Sequence, residues 1–130
     1  MTNMNANNYQ KPSRQQLVDL FKKEYDVRVD KSISYKHAEK VDVVIKTKKG
    51  KNIYVIFKGK DAMPVMFADV VNLDYVRLMD VKNGKRGNQY IVFCEKKNNP
   101  MAEGAAEDAK IPYYKNFNIL VKNIKKSLSV

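Results

Sequence analysis

The sequence predicts an α/β domain in which a mixed central sheet carries helices on both faces, in the element order α-β-β-β-α-β-α-β-α. Three observations carry this. The apolar spacing switches from a helical period ahead of Tyr25 to a period of two after it. Two apolar runs flank the polar, glycine-containing turn Lys46-Thr47-Lys48-Lys49-Gly50-Lys51, which makes a β-hairpin. A helical segment then separates that hairpin from a further apolar run, Tyr90-Ile91-Val92-Phe93-Cys94, as a crossover to a parallel strand requires.

In chain order, residues 1–12 lack apolar periodicity and end at Pro12, so they read as a disordered arm ahead of a single domain over 13–130. Ser13 is the expected N-cap of a helix to about Tyr25, with Leu17, Leu20, Phe21 and Tyr25 at helical spacing. Val27, Val29, Ile33 and Tyr35 alternate with polar residues as a first strand. Val41 to Ile45 and Ile53 to Phe57 form the hairpin strands. Pro64 fits the first turn of a helix carrying Phe67, Val70, Val71, Asp74 and Met79 and ending before Asn83-Gly84. Tyr90 to Cys94 is the most apolar run and reads as a central strand. Asn98-Asn99-Pro100 breaks the chain, Ala102 to Ala109 is helix-prone, Ile111 to Tyr114 is a short strand, and Ile119, Leu120, Ile124 and Leu128 mark a closing helix.

The 130 residues hold 44% hydrophobic side chains, enough for one core without disulfides or a structural metal. The single cysteine, Cys94, lies within an apolar run and reads as a reduced, buried thiol rather than a nucleophile, whose base would have to be the only histidine, His37. The apolar runs are too short to span a bilayer and the first residues are polar and Asn-rich, so a soluble, cytoplasmic protein is expected and a membrane partner is not. Twenty-five Lys and Arg against fourteen Asp and Glu give a net charge of +11, which favours a polyanion such as DNA or RNA over a neutral small molecule. Only Arg14, Arg28, Arg77 and Arg86 are arginines, so recognition of backbone or shape is expected in place of arginine-based base reading. Lys46, Lys48, Lys49 and Lys51 crowd the hairpin turn, Lys60 follows the next strand, and Lys82, Lys85 and Arg86 fill the loop before Tyr90; these are the candidate nucleic-acid ligands. Tyr35, Tyr54, Tyr113 and Tyr114 read as core residues before they read as base-stacking platforms.

Alternation puts Ile53, Val55 and Phe57 on one face of their strand and Tyr54, Ile56 and Lys58 on the other. A hairpin centred near Lys49 sets Asp42 opposite Ile56 and next to Lys58, an acid and a lysine on one surface. In isolation such a pair is an ordinary surface ion pair. The order of elements, Asp42, and Ile56-Phe57-Lys58-Gly59 together resemble the PD-(D/E)XK, or restriction-endonuclease-like, superfamily, nearest to its Mrr-type nucleases. There, too, a strand like Tyr90 to Cys94 is followed by an alanine-rich helix like Ala102 to Ala109, a short strand like Ile111 to Tyr114 and a last helix like Leu120 to Ile124.

The resemblance implies a restriction-endonuclease-like sheet and a catalytic pair in which Asp42 holds a divalent metal, usually Mg2+, and Lys58 orients the nucleophile or offsets charge. Glu24 matches the additional acid that some members carry on the first helix. Ile56 departs from the pattern: it stands where Glu or Gln is expected, and a hydrocarbon offers a metal no oxygen. The implied function is a nucleic-acid binder, DNA favoured over RNA, that is weak or inactive in cleavage. One alternative is an active Mg2+-dependent endonuclease whose missing acid has migrated to Asp69 or Asp74; another is a protein-interaction or inhibitory module on the same fold. Cutting both strands needs two sites, so a homodimer is a further implication of the resemblance.

Overall fold

Ser13 caps the first helix, α1 (Arg14–Phe21), reciprocally: its side chain accepts from the Gln16 N–H while Gln16 Oε1 accepts from the Ser13 N–H. In this computed structural model, which describes residues 12–34, 38–59, 63–95 and 99–129, eight further elements follow in the expected order. They are β1 (Asp26–Ser34), β2 (Ala38–Lys46), β3 (Asn52–Lys58), α2 (Phe67–Lys82), β4 (Gln89–Cys94), α3 (Pro100–Asp108), β5 (Tyr113–Tyr114) and α4 (Phe117–Leu128). The expected arm over residues 1–11, Tyr35, His37 and Lys60 lie outside the described residues; Pro12, placed at the end of that arm, is buried with its carbonyl against Gly59.

The five strands form one mixed sheet in the order β1-β2-β3-β4-β5. β1, β2 and β3 are antiparallel neighbours, and β4 and β5 join in parallel after the α2 and α3 crossovers. Because β3 and β4 are covered on both faces, their sequences read as near-continuous apolar runs. Tyr54, Ile56, Val92 and Cys94 face α2 and α3, packing on Val70, Leu73, Val76, Ala102 and Ala106. Ile53, Val55, Phe57, Ile91 and Phe93 face α1 and α4, packing on Leu17, Phe21, Leu120 and Ile124. Phe57 stacks on Phe93 at 4.7 Å, and Phe117 of α4 meets both edge-on.

Several expectations shift. α1 ends at Phe21, not Tyr25; Tyr25 follows it in a turn, packed against the α1 side of the core. Pro64 precedes α2, which begins at Phe67 with the Asp69 carboxylate reaching back to the Met66 N–H, so the helix start is set by an acid in its first turn and not by proline. The buried stripe of α2 is Val70, Leu73, Val76 and Asp80, whereas Phe67 and Val71 are exposed: the helix is rotated from the face that its largest apolar residues suggest. β4 is interior, although β3 holds the middle position.

Strand alternation fails at one place. Val41 and Val44 belong to the α2 side of the core and Val43 and Ile45 to the α1 side, so β2 changes face at Asp42. The partners of β2 on β3 begin at Val43 opposite Val55, and on β1 Asp30, between Val29 opposite Val43 and Lys31 opposite Val41, takes a left-handed φ of 49°. The change of face falls where the acid sits.

Candidate functional site

The two residues paired in the sequence meet at this change of face. Asp42 Oδ2 accepts the Phe57 N–H at 2.8 Å, taking the place of a neighbouring-strand carbonyl, and lies 3.3 Å from Lys58 Nζ. Their side chains are 16% and 24% exposed for Asp42 and Lys58, so the pair is partly desolvated and charge-balanced. Ile56, next to Phe57 on β3, is 4% exposed and sealed among Val41, Leu73 and Val76. One carboxylate, already engaged by an amide and an ammonium, beside a buried hydrocarbon does not fit magnesium, which is held by carboxylate charge while it keeps most of its water. Among the described residues no three His, Cys, Asp or Glu side chains group so as to hold a metal ion.

The three further acids go elsewhere. Glu24 is not on α1 but in the exposed turn after it, on the sheet face opposite to Lys58. Asp74 binds Arg77, one helical turn on, at 2.7 Å. Asp69 caps α2 through the Met66 N–H at 2.8 Å, and it also lines a narrow cleft of about 20 Å3 with Lys40, Val41 and Ile56.

The basic candidates gather at the other end of the sheet. The hairpin turn closes through Thr47, whose N–H donates to the Lys51 carbonyl at 2.7 Å and whose side chain accepts the Lys51 N–H, with Gly50 supplying a φ of 81°. Its lysines diverge from there. Lys48 stands over the Tyr25 ring at 5.5 Å, Lys46 lines a shallow cleft with Asp26 and Arg28, and Lys49 and Lys51 line a separate cleft with Gly87 and Gln89. Lys82 closes α2, and Lys85 and Arg86 are exposed in the segment leading to β4. All of these lie where β3 and β4 begin, while Lys58 is where β3 ends; seven residues of strand at about 3.3 Å each separate the two groups by roughly 20 Å. The described lysines of the hairpin and of the loop before β4 therefore lie at the opposite end of the sheet from the Asp42–Lys58 pair.

Beneath the basic end lies a feature the sequence reading passed over. Asp80, near the C-terminus of α2, is wholly buried. It accepts from Tyr90 Oη at 2.6 Å and from Asn88 Nδ2 at 3.0 Å. Asn88 Oδ1 in turn accepts the Asn52 N–H at 2.9 Å, Asn52 Nδ2 donates to Tyr54 Oη at 3.0 Å, and Tyr54 stacks on Tyr90 at 5.4 Å. Burial pushes the Tyr90 phenol far above the usual range, and its hydrogen bond to Asp80 adds to the effect; burial also raises Tyr54. The network ties the starts of β3 and β4 to the end of α2, under the hairpin turn and the loop carrying Lys85 and Arg86. The signal was available: position 80 continues the spacing of Val70, Leu73 and Val76, which places an acid at a core position of the helix.

No protein-family model, no curated protein and no solved structure matches this chain.

Proposed function

We propose that this domain binds nucleic acid, DNA in preference to RNA, on a restriction-endonuclease-like scaffold that does not cleave. The observation that carries the reading is the state of the Asp42 end, where the only carboxylate of the pair is engaged by the Phe57 N–H and Lys58 and the adjoining ligand position is the buried Ile56. Its counterpart is the excess of eleven positive charges, concentrated in part on turns at the far end of the sheet. The strand order and the crossover through α2 are compatible with the proposed scaffold. A reducing compartment, the cytoplasm, suits the single buried thiol of Cys94; no described helix is long and apolar enough to cross a membrane.

A second reading, a metal-dependent endonuclease, is favoured by one observation: Asp69 shares the narrow cleft of Ile56. Binding and cleavage of labelled duplex, single-stranded and branched DNA and of matched RNA, with and without magnesium or manganese, decide between them. Salt-sensitive binding with no cut product is expected. Metal-dependent cleavage lost in Asp42→Ala, Lys58→Ala and Asp69→Ala would establish the second reading, and absence of binding would overturn both. A partner protein that plain duplex DNA fails to displace would instead make the domain a protein-interaction or inhibitory module.

A further inference from the structure

Two clefts meet at the start of β4. One, of about 340 Å3, is lined by Thr47, Lys49, Lys51 and Gly87, and the other, of about 320 Å3, by Arg77, Tyr90, Lys110 and Tyr114 among others. They share Gln89, Lys126 and Ser127, so together they form one groove from the hairpin turn to the β5 edge of the sheet. Among the described residues five cations line it and no carboxylate does. Arg77 is offset by Asp74, which leaves Lys49, Lys51, Lys110 and Lys126 as its principal charges.

Two of these lysines are held by backbone features. The stem of Lys51 lies across Gly87, where an added Cβ would stand 3.2 Å from its Cδ and Cε, so the absence of a side chain at Gly87 lets the lysine stem lie close to the backbone there. Lys110 takes a left-handed φ of 58° just beyond α3, the place where glycine is the usual residue. Keeping a lysine there costs backbone strain that glycine would not incur. Such a cost is retained where the side chain has a use, and here the side chain lines the groove.

We propose that this groove is the track for the sugar–phosphate backbone, with Lys49, Lys51, Lys110 and Lys126 as its phosphate ligands and the Asp42–Lys58 end left out of the contact. The inference rests on the nucleic-acid reading and adds the place of contact. It brings in Lys110 and Lys126, from the α3–β5 turn and α4, which stand far apart in sequence from the hairpin and meet it only in the folded chain.

The test is a fluorescence-anisotropy titration of a short labelled duplex across a salt series. It uses the parent chain, the groove variant Lys49→Gln/Lys51→Gln/Lys126→Gln, a variant of equal charge loss at exposed positions elsewhere, Lys23→Gln/Lys31→Gln/Lys40→Gln, and Lys58→Gln. The groove variant is expected to bind about a hundredfold more weakly near physiological salt, with a log-log salt slope smaller by about three; the other two stay within about threefold of the parent. Arginine at the same three groove positions retains binding, and thermal melts by circular dichroism verify that each variant is folded. Equal losses in the groove and control variants, or the main loss in Lys58→Gln, would overturn the groove while leaving nucleic-acid binding intact. A parent chain that binds neither DNA nor RNA at low salt would remove the groove and the function reading together.

Discussion

The two ends of β3 solve the same problem, a carboxylate near the core, in different ways. At the start of the strand, Asp80 is wholly buried and is held by Tyr90 and Asn88, which link it to Tyr54 and Asn52. At the end of the strand, Asp42 is partly exposed and meets Lys58 directly, so acid and lysine cancel. Hydrogen bonds from Tyr90 and Asn88 fix a buried acid between two strands and a helix, whereas a half-buried acid paired with a lysine offsets both charges. A groove lined by lysines lies at the first end of the strand and a charge-balanced pair at the second.

The comparison breaks first at Asp80. Asp80→Ala leaves the Tyr90 hydroxyl and the Asn88 amide without their acceptor and should cost about 3–4 kcal/mol, read from urea or thermal unfolding. A loss below about 1 kcal/mol would show that the network does not organise the basic end. Ile56→Glu tests the other end: a carboxylate pressed into the α2 core should cost about 3 kcal/mol in metal-free buffer, with magnesium returning part of it as two acids come to face each other. If magnesium returns nothing, that end lacks the shape of a metal site as well as the ligand. Asp42→Ala strands the Phe57 N–H and an unpaired ammonium and is expected to cost about 2 kcal/mol, against less than about 1 kcal/mol for Lys58→Met, which keeps the stem packed. Reversal of that order would make Lys58 the structural partner. The smallest effect is spectral. Folding raises the pKa of Tyr54, Tyr90 and Tyr113, chiefly by burial, so the native state keeps protons that the unfolded chain loses near pH 10. Their contribution to stability is therefore complete below pH 10 and is lost as the pH climbs beyond it. Tyrosinate absorbance should show these three ionising only with unfolding, and Tyr90→Phe should remove one of them from the late step.

Sequence carried the element order because each strand announces itself by period and each break by Gly, Pro or Asn. It also carried the Asp42–Lys58 contact, since counting outward from Lys49 gives the observed register of the hairpin as far as Val43 opposite Val55, next to the acid. It missed the phase of α2 because hydrophobicity alone points to Phe67 and Val71, whereas the sheet selects Val70, Leu73, Val76 and the polar Asp80. The extent of Tyr25, Glu24 and the end of α1 was misjudged for a related reason: a helical spacing continues through a turn that tertiary packing imposes. The groove was only half legible. Its hairpin lysines form a visible run, but Lys110 and Lys126 are isolated cations whose convergence depends on the α3–β5 turn and α4 closing over β4, and no local pattern encodes that.

The spatial order of the strands repeats their order along the chain. No strand has to be threaded between two that have already paired, so the sheet can grow at a single advancing edge, from the β1–β3 meander outward, as the polypeptide emerges from the ribosome. Each new strand finds its template already in place, which keeps the entropy of loop closure low at every step and limits the time that an apolar segment such as Gln89–Cys94 spends uncovered.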